Sequence, residues 1–332
     1  MKKPFKITIV DYEWPELDIE KSLIQERMRQ DEPIELQVLQ TKDKETIIEN
    51  VKDADAILTM YGVIDKDVLM AAKKAKIISR YGIGVNMIDV EAATELGKMV
   101  GNVNDYCIDE VSDHALAFIM SSARRLFDYN ELTKKGEWDF KQAKIPLRAS
   151  YAIVGLVGFG KIPVRLAEKL TAIGYQVMAY DPFVDKESMA KKGVIKAELH
   201  ELVANSDFIS VHVPLIEQTR HLISSKEFEL MKNTAYIINT ARGPIIDEAA
   251  MITALNEKKI AGCGLDVTET EPLPQDHILR NMDNVILSPH AAWYSETAFI
   301  EIRVGAISNI LDVYDGKEPK YLVNLNVLSQ KV

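Results

Sequence analysis

The chain has 332 residues, 47% of them hydrophobic and 27% charged, with a formal net charge of −10. That length is more than one core usually serves and suits two domains of ordinary globular composition. Acids and bases are interspersed, which argues against nucleic-acid or anionic-membrane binding through a broad basic surface.

The opening Met1-Lys2-Lys3-Pro4 is basic, but the apolar run after it is too short for a signal peptide. No stretch reaches the length of a membrane span, so a cytoplasmic protein is expected. Lys6–Val10 reads as a strand ending at Asp11, Ala54–Met60 as a second, and Ala75–Arg80 as a third that breaks at Gly82 and Gly84. With helical patterns between them, these strands predict a small parallel α/β unit. From Asn104 or Asp105 a long helical pattern runs to Leu126, with small residues (Ala115, Ala117, Ser121, Ser122) that allow close packing. A second series of strands covers Ala152–Val157, Gln176–Asp181, Phe208–Val213, Ala235–Asn239, Gly262–Val267 and Val285–Ser288. Helices starting near Lys161, Glu198, Ser225 and Asp247 separate them, the pattern of a doubly wound parallel sheet. A last helical pattern through Ile300, Val304, Ile307 and Leu311 leads to a tail too short to be a domain, which is expected to return to the first unit. Cys107 and Cys263 are the only cysteines, too few for a disulfide framework or a cysteine-rich metal site; no metal is expected.

The first strand of the second series runs into Gly158-Phe159-Gly160-Lys161-Ile162-Pro163. Glycines there let backbone N–H groups approach a pyrophosphate at a helix N-terminus, where the dipole favours negative charge. Asp181, at the end of the next strand, is placed to accept hydrogen bonds from a ribose 2′-OH. A carboxylate there would repel a 2′-phosphate, so NAD is expected over NADP. Pro163 stands where the fingerprint has its third glycine, a position in the first helical turn where a missing N–H is tolerated.

Three further strand ends carry ionisable residues: Asn239-Thr240-Ala241-Arg242-Gly243, Asp266-Val267-Thr268-Glu269-Thr270-Glu271-Pro272, and Ser288-Pro289-His290-Ala291-Ala292-Trp293. Open α/β sheets bind ligands at such ends. An arginine fork can hold a carboxylate and polarise a neighbouring carbonyl. A histidine exchanges protons near neutral pH, and a carboxylate beside it orients the ring. Singly, each of these residues has a bland reading as a surface ion pair or a solvated acid. Together, in this order after a dinucleotide loop, Arg242, Glu271 and His290 read as a catalytic set. His114, His200, His221 and His277 read as ordinary helix or surface residues, while His212 ends a strand near the expected cofactor.

These segments, spread over nearly the whole chain, resemble the signature segments of the D-isomer-specific 2-hydroxyacid dehydrogenase family. Met60-Tyr61, Arg80-Tyr81-Gly82-Ile83-Gly84 and His290-Ala291-Ala292-Trp293-Tyr294-Ser295 are similar to its C-terminal-binding-protein-like branch. The resemblance implies a Rossmann-type NAD-binding domain over residues 104–293. It also implies a smaller, flavodoxin-like α/β substrate domain split between residues 1–103 and 294–332. It implies a homodimer joined through the nucleotide-binding domain, and an NAD-dependent interconversion of a 2-oxo acid and a D-2-hydroxy acid. Arg242 would bind and polarise the substrate, His290 would move the proton, and Glu271 would hold His290. With Gly158, Gly160 and Asp181, the implied cofactor-facing set is Lys161, Ile162, His212, Val213, Pro214, Thr219, Thr240, Ala241, Arg242, Asp266, His290 and Ala291. Tyr61, Arg80, Ile83, Gly84, Arg242 and Trp293 would contact substrate. The aromatic residues favour an apolar or aromatic side chain on that substrate. Asn86-Met87 and Tyr151 depart from the family's usual residues. Two rivals accompany this reading: a dinucleotide-sensing, corepressor-like binding protein, and phosphoglycerate dehydrogenase.

Overall fold

The computed structural model describes residues 3–331; the basic start at Met1-Lys2 and the final Val332 lie outside them. The chain forms two compact units, one built from the chain up to Tyr106 together with that from Ser295, the other from Cys107–Tyr294.

The first unit holds five parallel strands, β1 (Phe5–Ile9), β2 (Ile34–Val38), β3 (Ala56–Thr59), β4 (Ile77–Arg80) and β5 (Met99–Gly101). Their order, β2-β1-β3-β4-β5, is that of a flavodoxin-like sheet. The inner strands β3 and β4 are buried throughout, as strands covered on both faces must be. Helices α1 (Asp18–Arg27), α2 (Lys44–Asn50), α3 (Lys66–Ala71) and α4 (Val90–Glu95) connect them. Asp43, Asp65 and Asp89 cap the last three by accepting backbone N–H bonds at their starts. The helix over Glu296–Tyr314 completes this unit, and its Arg303 is only 3% exposed. Arg303 bonds Glu20 at 2.6 Å and Asp18 at 2.7 Å, while the Tyr81 hydroxyl donates to the same Glu20 carboxylate at 3.0 Å.

The second unit is a seven-stranded parallel sheet: β6 (Ile153–Val157), β7 (Gln176–Tyr180), β8 (Ile195–Lys196), β9 (Phe208–Val211), β10 (Tyr236–Asn239), β11 (Gly262–Leu265) and β12 (Val285–Leu287). The order β12-β11-β10-β9-β6-β7-β8 reverses direction between β6 and β9, the switch point where doubly wound sheets bind nucleotides. Along the strands alternate residues join different cores: Ile209, Val211 and Ile237 one, Val154, Phe208 and Ile238 the other. That period of two is the signature of a sheet buried on both faces. Its helices are α5 (Ile108–Arg124), α6 (Leu126–Lys134), α7 (Lys161–Ile173), α8 (Lys186–Ala190), α9 (Leu199–Asn205), α10 (Ser225–Leu230) and α11 (Glu248–Asn256).

The continuous helix expected to Leu126 is interrupted. Arg125 takes a left-handed φ of 57°, so α5 ends at Arg124 and α6 starts afresh. Ala115 and Ser122 of α5 are buried within the unit, whereas Ala117 is exposed. α5 packs against α7, where Lys169 reaches Ser112 and Asp113, each at 2.7 Å. Four of the strands predicted in this unit stop one or two residues sooner, at Tyr180, Val211, Leu265 and Leu287, leaving Asp181, His212, Asp266 and Ser288 in the loops beyond. Among the described residues no helix is long and apolar enough to cross a membrane.

Candidate active site

The loop after β6 is shaped by two glycines with different tasks. Gly158 has φ +101°, and a Cβ there would lie 3.0 Å from the His212 carbonyl group. Gly160 precedes α7, and a Cβ on it would meet no protein atom within 4 Å, so open space faces the helix N-terminus. Pro163 is the third residue of α7 and is buried. The first intrahelical bond is Val164 N–H to the Gly160 carbonyl, at 3.1 Å, so the proline's missing donor falls among those without an intrahelical acceptor. Asp181 accepts the Phe159 N–H on one oxygen and the Phe183 N–H on the other, both at 2.9 Å. The acid thus fastens the glycine loop.

Beyond β9, the His212 ring nitrogen Nε2 lies 2.8 Å from the Ser210 hydroxyl, and burial pushes the ring's pKa down to about 3, keeping it neutral. The Thr219 hydroxyl donates to the Pro214 carbonyl at 2.6 Å and accepts from Ile216 N–H at 2.9 Å, closing the loop that carries Val213. Beyond β10, Asn239 holds the turn: its side chain accepts from Ala241 N–H at 3.0 Å and donates to the Arg242 carbonyl at 2.9 Å. The Arg242 guanidinium donates to the Ala241 carbonyl at 2.6 Å. Gly243 passes so close to the next loop that a Cβ on it would sit 2.0 Å from the Thr268 carbonyl carbon and oxygen. The Thr240 hydroxyl is buried with no hydrogen-bond partner among the described residues.

Beyond β11 and β12 the two loops are joined. His290 Nδ1 lies 2.6 Å from Glu271 Oε2, and the other Glu271 oxygen accepts Thr268 N–H at 3.2 Å. Burial pushes the Glu271 carboxyl up, but the His290 bond, the Thr268 N–H and the charge of Arg242 outweigh it and hold it below the usual carboxylate range. An ionised carboxylate only accepts, so His290 Nδ1 is the donor and Nε2 is left to exchange a proton. His290 itself has a left-handed φ of 54°. Asp266 maintains that backbone: its carbonyl accepts His290 N–H at 2.8 Å, and its carboxylate accepts Ala291 and Ala292 N–H at 2.8 and 3.0 Å. His114, read from sequence as ordinary, instead reaches Ser288, with Nε2 2.8 Å from the hydroxyl. Trp293 stacks edge-on with Tyr294.

In the first unit, the Asp11 carboxylate is buried and accepts from Met60, Tyr61 and Gly62 N–H (2.9, 2.8 and 3.1 Å) and from the Thr59 hydroxyl at 2.9 Å. It therefore sets the loop that presents Tyr61. The Tyr61 hydroxyl donates to Glu13 at 3.1 Å, and the Lys42 ammonium lies 4.6 Å over its ring. Arg80 is 8% exposed, donates to the Met60 carbonyl at 3.3 Å, and curls over Gly82. Asn102 fixes the Ile83 carbonyl at 2.7 Å, next to Gly84.

Residues 116–292 match the family described as D-isomer specific 2-hydroxyacid dehydrogenase, NAD binding domain. A glyoxylate reductase of Korarchaeum cryptofilum is 36% identical over 86% of this chain and 87% of its own length. The chain belongs to the D-isomer specific 2-hydroxyacid dehydrogenase family. It is an NAD-dependent oxidoreductase of that family. A D-3-phosphoglycerate dehydrogenase of Methanocaldococcus jannaschii is also 36% identical, over 90% of this chain, which spans 57% of that protein's length. Among solved structures, the D-lactate dehydrogenase of Aquifex aeolicus complexed with NAD and lactic acid superposes with a TM-score of 0.82 at 28% identity, covering 93% of this chain and 96% of that one.

The second unit of this dehydrogenase has the features a dinucleotide needs. Open space at Gly160 faces the α7 N-terminus, the Thr240 hydroxyl is buried without a partner among the described residues, and the Asp181 carboxylate stands just beyond β7, the strand next to β6. Gly160, Lys161 and Ile162 would hold the pyrophosphate through backbone N–H groups.

Proposed function

We propose that this dehydrogenase reduces a 2-oxo acid bearing an apolar or aromatic side chain to the D-2-hydroxy acid, reversibly. NAD(H) would supply or accept the hydride. Arg242 would hold the substrate carboxylate and polarise the adjacent carbonyl, matching its planar fork to two oxygens. His290 would deliver a proton from Nε2 to the carbonyl oxygen, and in the oxidative direction take it back. Glu271 would keep the ring in the tautomer that leaves Nε2 free for this exchange and stabilise the imidazolium. The observation that carries this reading is the 2.6 Å contact between His290 Nδ1 and Glu271 Oε2, beside Arg242.

Ile83 and Gly84 would give backbone N–H contacts to the substrate carboxylate, and Tyr61, Arg80 and Trp293 would shape its specificity. Trp293 and Tyr61 support the apolar preference, and His290–Ser295 supports a place in the C-terminal-binding-protein-like branch. A phosphorylated substrate is the second reading. It is favoured by Lys42 over the Tyr61 ring and by the phosphoglycerate dehydrogenase relative. Asp181 supports NADH over NADPH. A homodimer through the second unit is supported by exposed apolar side chains after α5, with Trp138 91%, Phe140 73% and Ile145 89% exposed.

NADH oxidation followed at 340 nm with glyoxylate, hydroxypyruvate, phenylpyruvate, branched 2-oxo acids and phosphohydroxypyruvate tests the substrate. The highest kcat/KM is expected with a branched or aromatic acid, and preference for phosphohydroxypyruvate would select the second reading. In the same assay His290→Gln should lose turnover while still binding NADH; unchanged turnover would remove His290 from proton transfer.

A further inference from the structure

We propose that His114 is a positioning residue for His290, acting through Ser288 and Asp266. The inference rests on the proton-transfer reading of His290 given above.

His290 occupies a left-handed backbone conformation that residues with a Cβ seldom adopt, and it stays there because its neighbours over-determine it. Three consecutive N–H groups, those of His290, Ala291 and Ala292, all end on Asp266, the last two on its carboxylate. The orientation of that carboxylate therefore sets where the His290 ring emerges. Asp266 is only 3% exposed, so water has little part in orienting it.

Ser288 supplies part of that orientation. Its hydroxyl lies 2.5 Å from Asp266 Oδ1. A hydroxyl has one hydrogen, and an ionised carboxylate can only accept, so that hydrogen is committed to Asp266. The oxygen of Ser288 is then an acceptor toward its other neighbour, His114 Nε2, at 2.8 Å. The donor sequence runs from His114 N–H to Ser288 O–H to Asp266. His114 Nε2 lies 3.8 Å from Asp266 Oδ1 itself, so the serine is the shorter route.

The imidazole is held from α5. It meets Phe118 edge-on, with ring centroids 4.8 Å apart, and Phe118 covers Gly264, where a Cβ would come within 2.8 Å of the ring. The same turn of α5 thus packs on β11 and reaches the loop beyond β12. A residue needed only for packing would have no use for an N–H aimed at Ser288.

Three variants separate positioning from packing. His114→Phe keeps the ring against Phe118 and removes the donor, His114→Gln restores an N–H donor, and Ser288→Ala removes the relay. Steady-state kcat should fall about tenfold in His114→Phe and in Ser288→Ala, the effect of one lost hydrogen bond to a buried acceptor. His114→Gln should recover most of that loss, and the double variant His114→Phe/Ser288→Ala should be no worse than the poorer single one. NADH binding by fluorescence confirms that each variant is folded; should His114→Phe not fold, Ser288→Ala and His114→Gln carry the test. Wild-type kcat in Ser288→Ala, or a His114→Gln as impaired as His114→Phe, would overturn the proposal. His290→Gln run alongside separates the two claims. If it turns over normally, proton transfer by His290 fails; if it is dead while Ser288→Ala is wild-type, only the positioning role fails.

Discussion

Gly243 offers the sharpest mechanical test of how Arg242 is held beside Glu271. A methyl group added there would stand 2.0 Å from the Thr268 carbonyl carbon and oxygen and 2.5 Å from Glu269 N, where ordinary contact begins near 3.4 Å. Backbone, not a flexible side chain, is in the way. The two loops must then part by about 1.4 Å, the difference between those distances. Overpacking of this kind costs about 1–3 kcal/mol of stability. The kinetic consequence is of similar size, because a misplacement of about 1 Å in a catalytic constellation costs on the order of 100-fold in rate, or about 2.7 kcal/mol. The Glu271 loop follows Thr268 and the Arg242 side chain precedes Gly243, so Gly243→Ala moves Arg242 relative to the Glu271–His290 pair, the groups proposed to hold the substrate and move its proton. Melting curves and kcat/KM on the best 2-oxo acid would be measured together. A variant that melts a few degrees lower and loses about two orders of magnitude in kcat/KM fits the geometry. Wild-type kcat/KM in a folded Gly243→Ala would show that the spacing of these loops does not govern turnover.

Asp181→Ser should raise kcat/KM with NADPH relative to NADH by about tenfold, as expected when one charged repulsion is removed, while the serine can still accept from Phe159 N–H; an unchanged ratio would deny Asp181 the selecting role. His212 makes stability depend on acid. Burial lowers its pKa from 6.5 to about 3, so between these values the unfolded chain binds a proton that the folded chain refuses. Its contribution is complete above pH 6.5 and declines as pH falls toward 3, so His212→Asn should flatten Tm against pH in that window, and parallel curves would contradict the assignment. Asp11→Ala strands three N–H groups and a hydroxyl in a buried loop and should cost about 3 kcal/mol in denaturant unfolding. A loss below about 0.5 kcal/mol, the range of a neutral surface change, would show that the loop does not depend on Asp11.

Long apolar runs made most of the architecture legible, because strands buried on both faces are continuous in hydrophobicity. The exceptions are edge or very short strands. β2 is half exposed and alternates Ile34-Glu35-Leu36-Gln37-Val38, β5 has three residues and ends on Gly101, and β8 has two. None offers the density of apolar residues that marks an inner strand. The break at Arg125 is equally silent, since an arginine carries no sign that it will turn left-handed. At the site, Arg242, Glu271 and His290 stand out because strand ends and ionisable groups coincide in the sequence. Asp11 and His114 do not, since their partners, residues 59–62 and Ser288, lie far along the chain. A faint signal existed for His114. It borders the buried stripe of Val111, Ala115 and Phe118, where a polar ring must find a partner.

The split first unit has a bearing on how the protein is made. During synthesis the second unit has its seven strands available once Leu287 has emerged, and it can fold as a contiguous stretch. The first unit cannot finish then. Glu20 is wholly buried in the finished protein, yet the guanidinium that neutralises it arrives 283 residues later on the helix over Glu296–Tyr314. Until Arg303 reaches it, the β1–α1 region must leave that carboxylate in water and its apolar neighbours uncovered. The nascent chain therefore carries an incomplete first unit throughout the synthesis of the second, and its most aggregation-prone interval ends only with that last helix.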